Sequence, residues 1–220
     1  MGLLTLEEIK KNKIFDTFIE MADRNFKTLG YKEHGRRHAE HTAKVTSQIL
    51  SALSFSPEEV EIGKIAGYLH DIGNAFSKRF HEEQGAVFVL RNFVKMGYVD
   101  EGIRIAKIIG QHEKRDKVPQ DPVLAAVIFG DKSDVSRNRV RKKDFKKFDE
   151  HDRVNYACTD TKILISNKSK EISLYLTVDT NIATAFEYFQ IFLSRFKFLK
   201  MAAETLFLKF SLFINEGKIL

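Results

Sequence analysis

The feature that most restricts how this chain can fold lies in residues 60–73, VEIGKIAGYLHDIG. Ile62, Ile65, Ala66 and Leu69 share one face at helical spacing, so the segment reads as a helix entering a core. It ends on an imidazole and a carboxylate side by side, His70 and Asp71. Burying either group without a partner is costly, and an unpaired buried charge costs most. The chain must therefore bring compensating groups from elsewhere to this helix end. Gly63 and Gly67, eight and four residues before Asp71, lie on its face of the helix. Their missing side chains would admit a neighbouring helix or leave room for a ligand.

Start and stop signals place other elements around that helix. Thr5 and Glu8 have the capping-box pattern, and Gly30 closes the helix that follows. A second helix runs through HGRRHAEHTAKVTSQILSAL. Ser56, Pro57 and Glu59 then open the central one with a cap, a first-turn proline and a glutamate at the third position. Further helices fit 82–96, stopped by Gly97, and 100–112; another opens on Asp121 and Pro122 and runs to about Asp131. After Arg153 the periodicity changes. TKILISN and EISLYLTVD alternate as two strands joined by the polar turn NKSK, followed by a helix over roughly 180–205 and a strand in LKFSLFINEG. No repeat, low-complexity segment or proline- or glycine-rich linker interrupts the chain. The expected fold is mainly α: a helical bundle over 1–155, with a small antiparallel strand-helix-strand (α+β) extension over 156–220 packed on it. An open strand edge invites cover, so pairing of two copies into a homodimer is also expected.

At 220 residues, with 43% apolar and 30% charged side chains, the chain has the balance of an ordinary globular protein. The N-terminus lacks a signal-peptide pattern. The apolar stretch FQIFLSRFKFLKMAAETLFLKF is cut by Arg195, Lys197 and Lys200, so a cytoplasmic protein without a membrane span is expected. Cys158 is the only cysteine, which excludes an intrachain disulfide and a thiolate metal cluster. Much of the +6 charge falls in residues 132–147, KSDVSRNRVRKKDFKK, either a solvated surface or a patch that attracts phosphates. That run lacks the interleaved aromatics of a single-strand platform and any recognition-helix motif, so nucleic acid is not the expected partner.

Seven histidines remain to be explained: His34, His38, His41, His70, His81, His112 and His151. His70 with Asp71, His112, and Asp131 each close a helix. Helix C-termini carry partial negative charge, so several pointing together favour a cation. Neutral imidazoles with carboxylates suit zinc, iron, manganese or nickel, whereas magnesium and calcium prefer oxygen shells. His34, His38 and His41 share one helical face, and spacing alone does not choose among them. The second His-Asp pair, His151 and Asp152, sits among charges with no apolar run before it and reads as a surface or cap element.

Taken in order, these residues resemble the HD-domain metal-dependent phosphohydrolases, whose pattern is a histidine, a His-Asp pair on the next helix and a distant aspartate. Here the pattern spans residues 30–140, with His38 in HGRRHAEH, His70 and Asp71 in LHDIG, and Asp131 in FGDKSD. The resemblance implies His38 rather than His41 as first ligand. His81 in HEEQGA and His112 in IIGQHE resemble the additional ligands of dinuclear members, such as the HD-GYP cyclic-dinucleotide phosphodiesterases and the symmetrical diadenosine tetraphosphate hydrolases. It therefore implies one or two divalent transition ions (Fe, Mn, Ni, Co or Zn), with Asp71 bridging if there are two. With a single ion, His81 and His112 would bind substrate instead. The chain departs from the HD-GYP pattern at Asn74, where a lysine is usual, and at Gln111 and His112, where two histidines are usual; the GYP element is absent. A match to the glutamate-aspartate pair of guanosine-tetraphosphate hydrolases is also lacking.

The implied activity is hydrolysis of a nucleotide or related phosphate ester or anhydride by a metal-activated hydroxide. Asp71 and Lys132 would be catalytic, and Asn74, Lys132, Arg137, Arg139 and Arg141 would hold the phosphates of a small substrate. The alternative is a module that binds metal and nucleotide without cleaving.

Overall fold

Local capping accounts for most of the helix boundaries in the computed structural model, which describes residues 3–220; the first two residues of the expected helical segment lie outside the described residues. The N-terminal helix expected as one piece is two, α1 (Leu6–Lys11) and α2 (Lys13–Thr28). Asn12 leaves the helical conformation between them, and its side chain accepts a hydrogen bond from the Ile14 amide. Asparagine competes with the helix for backbone groups in this way, which a cap tolerates and a helix interior does not. Next come α3 (Arg36–Ala52) and α4 (Pro57–Leu69), the latter opened by the Ser56–Glu59 capping box. α5 (His81–Met96), α6 (Val99–Ile109) and α7 (Pro122–Ser133) complete the surround.

The glycines of α4 serve helix packing. A Cβ on Gly63 would fall 2.5 Å from Leu50 Cδ1, and one on Gly67 3.2 Å from the Ala43 amide nitrogen, so α3 lies directly against α4. α7 is buried along its whole length from Val123 to Ser133, which makes it the central post of the bundle. It presses on α3 at Gly130, where a Cβ would meet the Thr42 carbonyl at 2.6 Å.

An additional short helix, α8 (Glu150–Ala157), opens with a capping box between Asp149 and Asp152, so the second His-Asp pair contributes a cap. β1 (Cys158–Ser166) and β2 (Glu171–Val178) form the expected antiparallel hairpin. α9 (Ala185–Thr205) then carries the chain back, and β3 (Lys209–Ile214) joins β2 in parallel. The expectation of an antiparallel extension is corrected here: a long helix crossover returns the chain to the end where β2 began, and that geometry yields parallel pairing. β4 (Gly217–Lys218) adds a short antiparallel edge, giving the order β1-β2-β3-β4. Buried Ile172, Leu174 and Leu176 of β2 and Phe210 and Leu212 of β3 join a core that is continuous with that of the helices. Phe129 of α7 meets Phe210 at 5.9 Å between ring centres, and the Tyr188 hydroxyl on α9 donates to the Val154 carbonyl on α8. No described helix is long and apolar enough to cross a membrane.

Candidate metal centre

Four elements converge on the end of α4. His70 caps that helix, Asp71 follows it, His38 projects from α3, Asp131 from α7, His81 opens α5, and His112 lies in the turn after α6. A four-residue turn, Ile72–Ala75, separates Asp71 from α5 and is held to α2 by the Asn25 amide, which donates to the Asn74 and Ala75 carbonyls. Gly73 in this turn touches the start of α5 so closely that a Cβ would lie 1.9 Å from the His81 carbonyl oxygen. That contact positions His81.

Each of the four imidazoles is fixed through its Nδ1. His38 Nδ1 lies 2.7 Å from Asp134 Oδ2; His70, His112 and His81 bond through Nδ1 to the carbonyls of Gly67, Ile109 and Lys78 at 2.8, 2.7 and 3.2 Å. The helix-end carbonyls thus receive imidazole protons rather than a cation. This arrangement turns every Nε2 to one centre, where a neutral ring offers its lone pair. Nε2 of His38 and of His70 are buried without a hydrogen-bond partner among the described residues. A buried acceptor is seldom left unpaired, and a ligand donor atom is a physical reason for it.

Asp71 divides its two oxygens between two groups of histidines. Oδ2 is 3.3 Å from His70 Nε2 and 3.7 Å from His38 Nε2, while Oδ1 is 3.3 Å from His81 Nε2 and 3.9 Å from His112 Nε2. Asp131 Oδ1 completes the first group at 3.4 Å from His38 and 3.8 Å from His70. In the second group the Nε2 atoms of His81 and His112 face each other at 3.3 Å. Overlapping sets of these side chains bring ligand atoms within 4.8 Å of one another, as metal binding requires. His41 lies outside the cluster, with Nε2 3.5 Å from Ser133 Oγ, and His34 packs at a tilt against Phe26, 4.2 Å between ring centres.

The electrostatics favour positive charge at the centre. Burial opposes ionisation of Asp71, but His70 and His81 hold its carboxyl well below the usual range; Lys132, His38 and His70 do the same for Asp131. Burial likewise opposes a charge on His70, yet Asp71 and Asp131 raise its pKa to about 9. Burial and neighbouring His70 push His112 down to about 4, which keeps it a neutral donor of an electron pair.

A cleft of about 550 Å³ opens beside the cluster, with Asp71, His81, Asn74, Lys132 and Arg139 in its wall. Lys132 is buried between Glu113 and Asp131, reaching Asp131 Oδ2 at 2.6 Å. The Asn74 amide donates to the Asp71 carbonyl and to Oδ1, each at 3.0 Å. Both residues therefore brace the two aspartates. Arg137 and Arg141 lie outside this wall: Arg137 stacks over the Tyr156 ring at 5.2 Å, and Arg141 pairs with Asp23.

Sequence reasoning missed three contributors. Asp134, the second aspartate of FGDKSD, sits one helical turn after Asp131, a spacing that was available as a signal. Glu113 adjoins His112 but carries no pattern of its own. Arg195 enters the cleft from α9, and nothing local marks it.

The sequence model of the HD domain matches residues 28–154, which include all six clustered side chains and end before β1. The chain is 30% identical over 140 residues to ribonuclease Y of Mycoplasma mycoides, covering 64% of this chain and 31% of that protein. It is also 30% identical over 113 residues to an uncharacterised protein of Methanocaldococcus jannaschii, covering 43% of this chain and 44% of that one. The chain thus spans less than half the length of either relative.

Proposed function

Because the chain belongs to the HD-domain family, we propose that it is a metal-dependent phosphohydrolase that cleaves a nucleotide or related phosphate ester or anhydride. The observation carrying this reading is the division of the Asp71 oxygens between two sets of Nε2 atoms, which suits one carboxylate shared by two ions. His38, His70, Asp71 and Asp131 would hold the first ion, and Asp71, His81 and His112 the second. A divalent transition ion held there would supply Lewis acidity, lowering the pKa of a water toward neutrality and offsetting charge on phosphoryl oxygens.

The protein's own groups prepare that chemistry. Asp134 and three backbone carbonyls hold the imidazoles in the tautomer that presents Nε2. Lys132 engages Asp131 Oδ2 and thereby leaves Oδ1 to the centre. Asn74 restrains Asp71, so the carboxylate is set before any ligand arrives. The cleft has the volume of a small-molecule site, and Arg139 and Lys132 in its wall suit an anion. The relative named ribonuclease Y brings RNA phosphodiesters into the set of substrates to be tested.

The test is hydrolysis of nucleotides and a short RNA by the purified chain supplied with manganese, iron, nickel, cobalt or zinc. Product release that disappears with chelator and in Asp71→Asn supports the reading. Tight nucleotide binding with no turnover under any metal would instead make the protein a sensor.

A further inference from the structure

The cleft beside the metal-ligating cluster holds more positive charge than its acids balance. Six basic side chains line it (Lys78, Arg79, Arg115, Lys132, Arg139 and Arg195) against four carboxylates. Each carboxylate is already engaged. Asp71 and Asp131 face the histidines, Glu82 lies 3.0 Å from His81, and Glu113 is shared by Lys132 and Arg115.

Lys78 and Arg79 lie over the Tyr31 and Phe80 rings, and Arg139 has one carboxylate, Asp134 Oδ2 at 3.6 Å from its Nε, which leaves Arg195 without any. Arg195, on α9, forms no ion pair among the described residues; it donates to the Lys132 carbonyl at 3.4 Å, and its guanidinium sits 4.5 Å from the centre of the Phe192 ring. Arg139 is 3% exposed and directs Nε and Nη1 to the carbonyls of Glu33 and Asp134, each at 3.1 Å. Its Nη2 makes no hydrogen bond among the described residues. Arg115 is drawn to the same wall by α9, donating to Ser194 Oγ at 3.4 Å. These charges act on one another. Burial together with Arg139 and Arg115 pushes Arg195 down to about 10, and burial together with Arg195 and Arg139 pushes Lys32 down to about 7.

Guanidinium groups gathered in a concave wall with fewer carboxylates than charges destabilise the fold unless an anion joins them. Their planar forks match phosphate oxygens bidentately. We propose that Arg139 and Arg195, with Arg115 beside them, form a second phosphate subsite, so that the substrate carries at least one phosphate beyond the one cleaved and belongs to the nucleoside di- and triphosphates. This rests on the phosphohydrolase reading above. Arg195 lies beyond residues 28–154, so the extension, and not the family domain, supplies the selective residue. The nucleoside has a surface to meet at the cleft mouth. Phe80 is 55% exposed there with the Arg79 guanidinium 4.7 Å from its ring centre, a platform on which a base can stack. Its φ of 60° is a conformation that a bulky residue adopts only when held.

The deciding experiment compares the wild-type chain with Arg195→Gln, under manganese, on a nucleoside mono-, di- and triphosphate and on a short RNA. Wild type should prefer the triphosphate over the monophosphate in kcat/KM, and Arg195→Gln should lower that ratio about tenfold or more, mainly through KM. Arg195→Lys, which keeps the charge, should recover part of the ratio. In parallel, calorimetry of inorganic tripolyphosphate against the metal-free protein should show comparable weakening in Arg195→Gln, independent of turnover. Should that variant fail to fold, as judged by its melting curve, Arg115→Gln carries the same comparison. An unchanged ratio together with unchanged tripolyphosphate affinity overturns the subsite while leaving the hydrolase intact. Absence of turnover on every substrate by wild type defeats the hydrolase reading, and the tripolyphosphate titration then still decides the subsite. Preference for RNA over all three nucleotides overturns the small-substrate class.

Discussion

Replacing Asp134 by asparagine keeps the shape of a buried junction and removes its charge. Asp134 is 2% exposed, and its carboxylate meets Arg37 Nη1 and Nη2 at 3.2 and 2.7 Å, His38 Nδ1 at 2.7 Å and Arg139 Nε at 3.6 Å. Burial opposes its ionisation, but Arg139, His38 and Arg37 hold the carboxyl well below the usual range. An asparagine offers one acceptor oxygen where two served, and its amide turns donors toward donors. Charge-assisted bonds contribute roughly 1.5–3 kcal/mol each, and breaking a buried ionic set by removing one partner costs about 3–5 kcal/mol. At about 2–4 °C per kcal/mol for a chain of this length, the melting temperature should fall by roughly 10 °C. The difference from wild type should be full above about pH 4 and fade below it, because the folded-state pKa is depressed. Asp134 also sets the His38 ring, so manganese should bind about 10–100-fold more weakly, as is usual when a carboxylate behind a metal-bound histidine is lost. Thermal melts with and without manganese, and direct titration of the ion, measure both effects. His41→Ala, whose Nε2 faces Ser133 Oγ and none of the clustered ligands, is the control and should leave manganese affinity within about twofold. A variant melting within about 1 °C of wild type, with unchanged manganese affinity, would refute this account of the junction.

Other outcomes follow from the same geometry. Gly73→Ala places a Cβ against backbone atoms of His81 and Gly85 that cannot yield separately, so α5 should shift at a cost of about 2–3 kcal/mol and take His81 out of register; a crystal structure with α5 in place would contradict this. Asp71→Ala should reduce bound metal in both groups of histidines, whereas His81→Ala should remove one ion and leave the other; elemental analysis that finds equal metal in the two variants rules out a shared carboxylate. Lys32, pushed down to about 7, should destabilise the fold fully below that pH and progressively less as pH rises toward its ordinary 10.5. Lys32→Met should therefore be the more stable protein at pH 6 and converge with wild type near pH 10, along a slope of at most about 1.4 kcal/mol per pH unit; parallel stability curves would show that its burial carries no such penalty.

Much of the fold is legible locally because its signals act over one turn of helix or one hairpin. Ser56 with Pro57 and Glu59, Asp121 with Pro122, and the NKSK turn each specify their element through neighbours a few residues away. Asn12 shows the limit: a cap and an interior residue look alike until the helix axis is known to turn there. The parallel pairing of β3 was hidden for a related reason, since alternation marks a strand but not the direction in which a 21-residue helix delivers it.

Within the candidate centre, His38, His70, Asp71, His81, His112 and Asp131 could be named in advance because the chain resembles the HD-domain phosphohydrolases at those positions; spacing alone left His34, His38 and His41 open. Their division into two groups around Asp71 could not, because it depends on which oxygen faces which ring. The basic run at 132–147 makes the same point. Arg137, Arg139 and Arg141 alternate in sequence, yet Arg139 lines the cleft while the others turn to Tyr156 and Asp23. The sequence by itself determined where most helices and strands begin and which residue types are able to bind a cation. The tertiary structure decided the bracing of His38 by Asp134, 96 residues away, and the entry of Arg195 from the extension. Such partnerships are set by distances of a few ångströms between packed elements, and nothing local in the chain encodes them.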